Sequence, residues 1–377
     1  MSWKRIEGCC NGLVEWARGA GVSPADGKAP RKNGGRDARP TEAPAPGDTR
    51  SELKMSRDDS DPIRFAAIDV GSLTVRLAVA EPRGPGQFHL LLHLREITGL
   101  GRGLAQTGEL APEDMARTLQ ALSGFKQVLA NYRVENCRVV ATHAVRAARN
   151  SPIFLERLRE ELGLEVLVLA PEQEARLSLK GVLSALAPPH LPTPVLVVDV
   201  GGGSSEFALA RPGRESQFAS LPLGVLTLSQ AHPLGDPPDS EKMAALKRLV
   251  AQDLARFRDL TFPPDRLRGA RLVGTAGAVT TLAAMHLRLT RYDPNRVNNL
   301  LLTRTRVAEL SEIICRLPEA ERARLPGIEP AKAGVMVAGA LLILTILEVF
   351  GQDSLVVVDA GLLEGVLASF NEVSGFL

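Results

Sequence analysis

Two stretches constrain the fold more than anything else in the chain. "AAIDVGSLTVRLAVA" (Ala66–Ala80) and "LVVDVGGGSSEFALA" (Leu196–Ala210) share one plan, and 130 residues separate Asp69 from Asp199. In each, a short apolar run ends on an aspartate. A turn poor in side chains follows, and then a second run alternates apolar with other residues. Alternation at period two after a glycine turn reads as an antiparallel hairpin, not as the strand-to-helix turn of a dinucleotide fingerprint, which needs spaced glycines entering a helix. After each hairpin the pattern alternates strands with helices. "CRVVATHAV" and "EVLVLA" read as strands. "APEDMARTLQALSGFKQVLANYRV", "SPIFLERLREELGL" (with Ser151 as N-cap) and "PEQEARLSLKGVLSAL" read as helices. The second half repeats this with "ARLVGTAGAVTTLAAM" as strand, glycine loop and helix, Ala331–Phe350 as a helix, and "DSLVVVDAGLLEGVLASF" as strand, turn and helix. The expected fold class is therefore α/β in two similar lobes, 63–190 and 191–377, meeting at the proline-rich "APPHLPTP" (Ala187–Pro194).

A side-chain-free turn lets backbone N–H groups approach an anion closely, and Ser204 and Ser205 add hydroxyl donors. Asp69 and Asp199 would repel a bare phosphate, so they make sense with a cation. Mg²⁺ suits them, since it keeps most of its waters and takes one or two carboxylates plus phosphate oxygens. A single such turn reads equally well as a structural hairpin. Two of them, in equivalent places in two halves, read as a cleft that grips phosphate from both sides through Gly71, Ser72, Gly201, Gly202, Gly203 and Ser204.

Any such anion site must be built locally, because 45 basic residues nearly balance 43 acidic ones. That balance argues against nucleic acid or a membrane surface as partner. The longest apolar run, Val335–Phe350, is shorter than the ~20 residues of a membrane span and suits a buried helix. Four cysteines form no CxxC pair or zinc spacing, as expected of reduced thiols in a cytoplasmic protein, and no secretory signal opens the chain. Residues 1–62, rich in Gly, Pro, Arg and Asp and without periodicity, read as a disordered tail, with Met55 as an alternative start.

The duplicated hairpins resemble the actin, sugar-kinase and heat-shock-chaperone ATPase superfamily. With "VVATHAVRAARN", "APEQEARLSLKGV", "LPLGVLTL", "LVGTAGAVTTLAAM" and "VVVDAGLLEGVL", the chain is similar from Phe65 onward to the exopolyphosphatase / guanosine pentaphosphate phosphohydrolase (Ppx/GppA) family. The resemblance implies two ribonuclease-H-like lobes and hydrolysis of a terminal phosphoanhydride in inorganic polyphosphate or guanosine pentaphosphate. It implies Glu174 as the carboxylate that aligns the attacking water and Glu206 as a second acid near the metal or the water. Mg²⁺ would lie near Asp69 and Asp199. Thr142 and Arg146 would lie near the substrate chain, and the loop of Gly274 and Gly277 near the outer phosphates. The plain alternatives stay open: a solvent-facing Glu206, a surface ion pair for Arg146, a helix-packing glycine in "GTAGAV". A homodimer also stays open. Glu172 is accounted for by the helix dipole alone, and His143 reads as structural.

Two departures stand out. Leu73 and Thr74 occupy places where the family has Asn and Ser, and Leu363 stands where it has Arg. They keep a non-catalytic polyphosphate- or nucleotide-binding regulator in view, beside a kinase of the same superfamily. No His-Asp pair occurs, so the helical domain of larger family members is not expected in these residues.

Overall fold

The computed structural model describes residues 63–84, 86–190 and 194–370. The expected tail at 1–62 lies outside them. The first sheet has the order β3-β2-β1-β4-β5. It is built from β1 (Phe65–Val70), β2 (Thr74–Gly84), β3 (Gln87–Ile97), β4 (Asn136–Ala141) and β5 (Val166–Val168). β1 is buried along its whole length, as its unbroken apolar run requires. It pairs antiparallel with β2 and parallel with β4.

The second sheet has the order β10-β11-β9-β6-β7-β8. Its strands are β6 (Val195–Val200), β7 (Ser205–Arg211), β8 (Arg214–Leu221), β9 (Arg271–Thr275), β10 (Leu300–Thr303) and β11 (Ser354–Val357). β6 pairs antiparallel with β7 and parallel with β9, and β9 runs parallel to β11. Strands β6, β7, β8, β9 and β11 thus repeat β1 to β5 in order and direction. The antiparallel edge strand β10 is an addition that the sequence pattern did not reveal; four residues are too few to carry a period.

Among the described residues, ten helices of five residues or more pack on these sheets: α1 (Pro112–Asn131), α2 (His143–Ala147), α3 (Ser151–Leu162), α4 (Pro171–Ala185), α5 (Val225–Ala231), α6 (Ser240–Thr261), α7 (Gly277–His286), α8 (Arg304–Arg316), α9 (Met336–Val349) and α10 (Leu362–Ala368). None is long and apolar enough to cross a membrane. The apolar run near residue 340 is α9, whose side chains fill the core of the second lobe. Three local expectations shift. The strand from Cys137 stops at Ala141, because the Thr142 carbonyl accepts from Arg146 N and starts α2. Asn150, not Ser151, stands at the N-cap of α3. The helix expected from Ala331 starts at Met336, after a 3₁₀ turn at Pro330–Lys332 that buries Lys332.

Helices α4 and α10 cross with their backbones nearly touching. A Cβ on Gly181 would lie 1.8 Å from Gly361 O, and one on Gly365 would lie 1.9 Å from Leu177 O. Only glycine permits that approach. The crossing sets the N-terminal turns of both helices beside the cleft.

Candidate functional site

The two hairpin turns have the same internal structure. Gly71 N–H donates to Thr74 O at 3.0 Å, and Gly201 N–H donates to Ser204 O at 3.0 Å. Those two amides are therefore spent on shaping the turns and are not free for a phosphate. The amides of Gly202 and Gly203 have no protein acceptor among the described residues. The carbonyls of Gly201 and Gly202 accept from the amides of Val225, Leu226 and Thr227 at the start of α5, which occupies their lone pairs. The turns meet across the cleft: a Cβ on Gly202 would lie 3.1 Å from Leu73 Cβ, and one on Gly203 would lie 2.5 Å from Ser72 Oγ.

Cross-strand register makes Arg76 the partner of Asp69 and Glu206 the partner of Asp199. The equivalent place thus carries opposite charges in the two lobes. Arg76 binds Asp69 Oδ2 through Nε at 3.0 Å and Nη2 at 2.6 Å. Burial works against its charge, but Asp69, Glu364 and Asp199 outweigh it and hold the guanidinium charged. Glu206, by contrast, adds a third acid to Asp199 and Glu174. It is 3% exposed, not solvent-facing, and accepts from Ser204 Oγ at 2.6 Å and Ser220 Oγ at 2.9 Å. Burial and then Asp199 push its carboxyl up to about 7.

Glu174 lies in the first turn of α4. Burial and then the neighbouring Glu206 hold its carboxyl well above the usual range. Arg146 Nη1 donates to Glu174 Oε2 at 2.9 Å and to Leu169 O at 2.7 Å. Arg146 is therefore committed to the acid rather than held open as a clamp. One turn further along α4, Ser178 Oγ donates to Asp199 Oδ2 at 2.5 Å. Burial raises the Asp199 carboxyl, Asp69 adds to the rise, and the Ser178 bond and Arg76 oppose it.

The cleft is lined by Asp69, Gly71, Ser72, Thr142, Glu174, Asp199, the triple glycine, Ser204, Glu206 and Gly277, so the structure brings most of the expected site residues together. Gly274 stands apart: it lies inside β9, where a Cβ would press on Val279 and Leu355. Leu363 is fully buried in the apolar cluster of Phe65, Ala67, Val140 and Leu367, so it takes nothing from the cleft. Leu73 does line it.

Residues not singled out from the sequence also line the cleft: Arg76, Arg95, Lys332, Asp359 and Glu364. Glu364 accepts from Gly361 N at 2.7 Å. Lys332 is 5% exposed and pairs with Glu329, which also binds Arg95. Burial and then Arg95 lower Lys332 to about 8. Seven residues follow each aspartate to its cross-strand partner, so Arg76 was legible from the hairpin alignment. Lys332 and Asp359 carry no local signal.

Among the described residues no three of His, Cys, Asp and Glu form a metal cluster. Two buried oxygens in the first turn, Asp69 Oδ1 and Ser72 Oγ, nonetheless lack a hydrogen-bond partner. A hydrated Mg²⁺ needs no protein cage, only one or two carboxylates with waters and phosphate oxygens completing its shell. The donors fit a cation that arrives with phosphates.

The Ppx/GppA phosphatase family matches residues 79–372. Exopolyphosphatase 2 of Mycobacterium tuberculosis is 32% identical over 321 residues, covering 81% of this chain and 98% of that protein. The crystal structure of the Aquifex aeolicus Ppx/GppA family member superposes with a TM-score of 0.68 at 34% identity, over 82% of this chain and 97% of that one. An exopolyphosphatase from Cytophaga hutchinsonii superposes with a TM-score of 0.73 at 25% identity, over 83% and 99% of the two chains.

Proposed function

Because the chain belongs to the Ppx/GppA phosphatase family, we propose that it is a phosphoanhydride hydrolase releasing orthophosphate from the end of inorganic polyphosphate. The observation that carries this is the Glu174 carboxylate, buried in the cleft that the glycine turns of both lobes also line and held by Arg146 through one oxygen only. Arg146 engages Oε2, and Oε1 is available to a water. The amides of Gly202 and Gly203 and the Ser72 hydroxyl hold the terminal phosphate. Glu174 aligns the water in line with the bridging oxygen. The water oxygen bonds to phosphorus as the bridging P–O bond breaks. The electron pair leaves on the shortened chain, and the water's proton passes to the Glu174 carboxylate. Phosphoryl transfer asks mainly for positioning and charge stabilisation, so a carboxylate suffices as base. Mg²⁺ would be held by Asp69 Oδ1 and Asp199 and would neutralise charge on the transferred group. The same end group occurs in guanosine pentaphosphate, which is a second candidate substrate.

Orthophosphate release from long polyphosphate, tripolyphosphate and guanosine pentaphosphate, with and without Mg²⁺, tests the proposal. Glu174→Gln is expected to lower kcat by about 10²–10⁴-fold with KM little changed. Binding of all three without release would leave a regulator instead. Release unaffected by Glu174→Gln would remove that residue from the reaction.

A further inference from the structure

Two arginines and one lysine line the cleft among the described residues: Arg76, Arg95 and Lys332. His93 beside them is held neutral, its ring pushed down to about 4 by burial and then by Arg76 and Arg95. The three cations differ in what an incoming polyanion must displace to reach them. Arg76 gives two nitrogens to Asp69, an acid 3% exposed on a fully buried strand. That acid has nowhere to swing. Arg95 of β3 in the first lobe and Lys332 of the 3₁₀ turn in the second share a different acid. Glu329 Oε2 accepts from Arg95 Nη2 at 2.5 Å and lies 3.2 Å from Lys332 Nζ. One carboxylate oxygen thus ties together two cations from opposite lobes. Glu329 is not among the residues lining the cleft, its side chain is 39% exposed, and it stands just before the 3₁₀ turn, outside any strand or helix. Arg95 weighs against the charge on Lys332, so the two cations stay together only with an anion between them.

We propose that Glu329 is a specificity-determining residue that stands in for substrate phosphate: it pairs with Arg95 and Lys332 when no substrate is bound, and phosphates behind the terminal one displace it and take over both cations. The inference rests on the hydrolase reading above, which puts the terminal phosphate at Gly202, Gly203 and Ser72. Arg95 and Lys332 line the same cleft as those groups, so one chain reaches both sets. A phosphate group offers each cation its own oxygen, where Glu329 offers one oxygen to both, and charge-assisted bonds of that kind are the stronger ones. An ion pair as exposed as that of Arg95 and Glu329 is worth little, so exchanging it costs little. A ligand with a single phosphate cannot fill the glycine turns and displace Glu329 at once. A chain can. Glu329 therefore favours a chain over the orthophosphate it releases.

Glu329→Gln keeps the shape of the side chain and removes the competing charge. Calorimetry with tripolyphosphate and Mg²⁺, in a Glu174→Gln background that prevents turnover, should show binding tightened about fivefold. With Glu174 intact, KM should fall by a similar factor and kcat should change less than KM. Orthophosphate should bind equally with and without Glu329. Adding Arg95→Gln to Glu329→Gln should abolish the gain for tripolyphosphate. Unchanged or weaker tripolyphosphate binding in Glu329→Gln overturns the proposal, because Glu329 would then serve only to hold the two cations in place. An equal gain for orthophosphate, or a gain that survives Arg95→Gln, also overturns it, since either would reflect the overall charge of the cleft. Wild-type protein that cleaves no phosphoanhydride overturns the hydrolase reading instead, and the calorimetry still decides the role of Glu329.

Discussion

At the scale of single residues, the duplicated hairpin is symmetric in backbone and asymmetric in charge. Arg76 neutralises Asp69 in one lobe, while Glu206 adds an acid beside Asp199 in the other. The acids therefore gather around Asp199, with Glu206 and Glu174 beside it, and their protons are costly to remove. The Glu206 carboxyl rises from 4.5 to about 7 on burial beside Asp199. A carboxyl raised on folding binds its proton more tightly in the native state, so stability is present below the unfolded value and is lost as pH rises through the folded one. Glu206→Gln should remove that loss. Urea denaturation of the metal-free protein at pH 5 and pH 8 should show wild type weakening by an order of 1–3 kcal/mol over the interval, and the variant by less. An equal pH response in both would show that Glu206 titrates normally. Leu73 is the residue at which the first turn is poorest in donors. Leu73→Asn should tighten tripolyphosphate binding by about tenfold at most, the value of one added hydrogen bond, read by calorimetry.

At the scale of elements, what places the Glu174 carboxylate is the glycine-lined crossing of α4 and α10. Gly365 packs on the carbonyl of Leu177, three residues beyond Glu174 on α4. Gly365→Ala would drive a methyl into backbone that cannot retreat within a helix. The expected cost is about 1–3 kcal/mol or more of stability by thermal melting. A loss of kcat larger than the loss of folded protein should accompany it, because α4 also carries Ser178 to Asp199. Here the limits of the sequence are physical. The hairpins, the helix carrying Glu174 and the equivalence of the halves were legible because each is a local pattern with its own period. Arg146 was legible as a site residue but not in its bond to Glu174, since that bond joins α2 to α4. Lys332 and Asp359 were not legible, for they reach the cleft from a 3₁₀ turn and a loop with no repeat to mark them. Leu363 misled for the converse reason: its motif borders the site through Glu364, but a helix turns neighbouring side chains to different faces.

At the scale of the molecule, sequence order and packing part company at the C-terminal end. α10 follows β11 of the second sheet, yet its apolar face lies under the first sheet. Leu363, Val366 and Leu367 cluster there with Phe65, Ala67, Ala78 and Val140. Arg138 of β4 reaches the same end, stacking on Phe370 at 4.1 Å and donating to Ser369 Oγ at 2.7 Å. Ile63–Leu377 accordingly forms one compact unit. Each lobe thus has part of its core supplied through the other, and neither can lose its structure without exposing the apolar surface of the shared helix. Two lobes joined only by a linker would melt independently, whereas lobes that share a buried helix should melt together. Val366→Asp tests this, since it buries an unpaired carboxylate where Val366 is now fully covered by residues of the first sheet. The expected outcome is one calorimetric transition in wild type, and in the variant one transition at lower temperature that takes the second lobe with it. Tracking a fluorophore in each lobe checks it: two midpoints that separate in the variant would mean that the lobes fold as independent units and that α10 only bridges them.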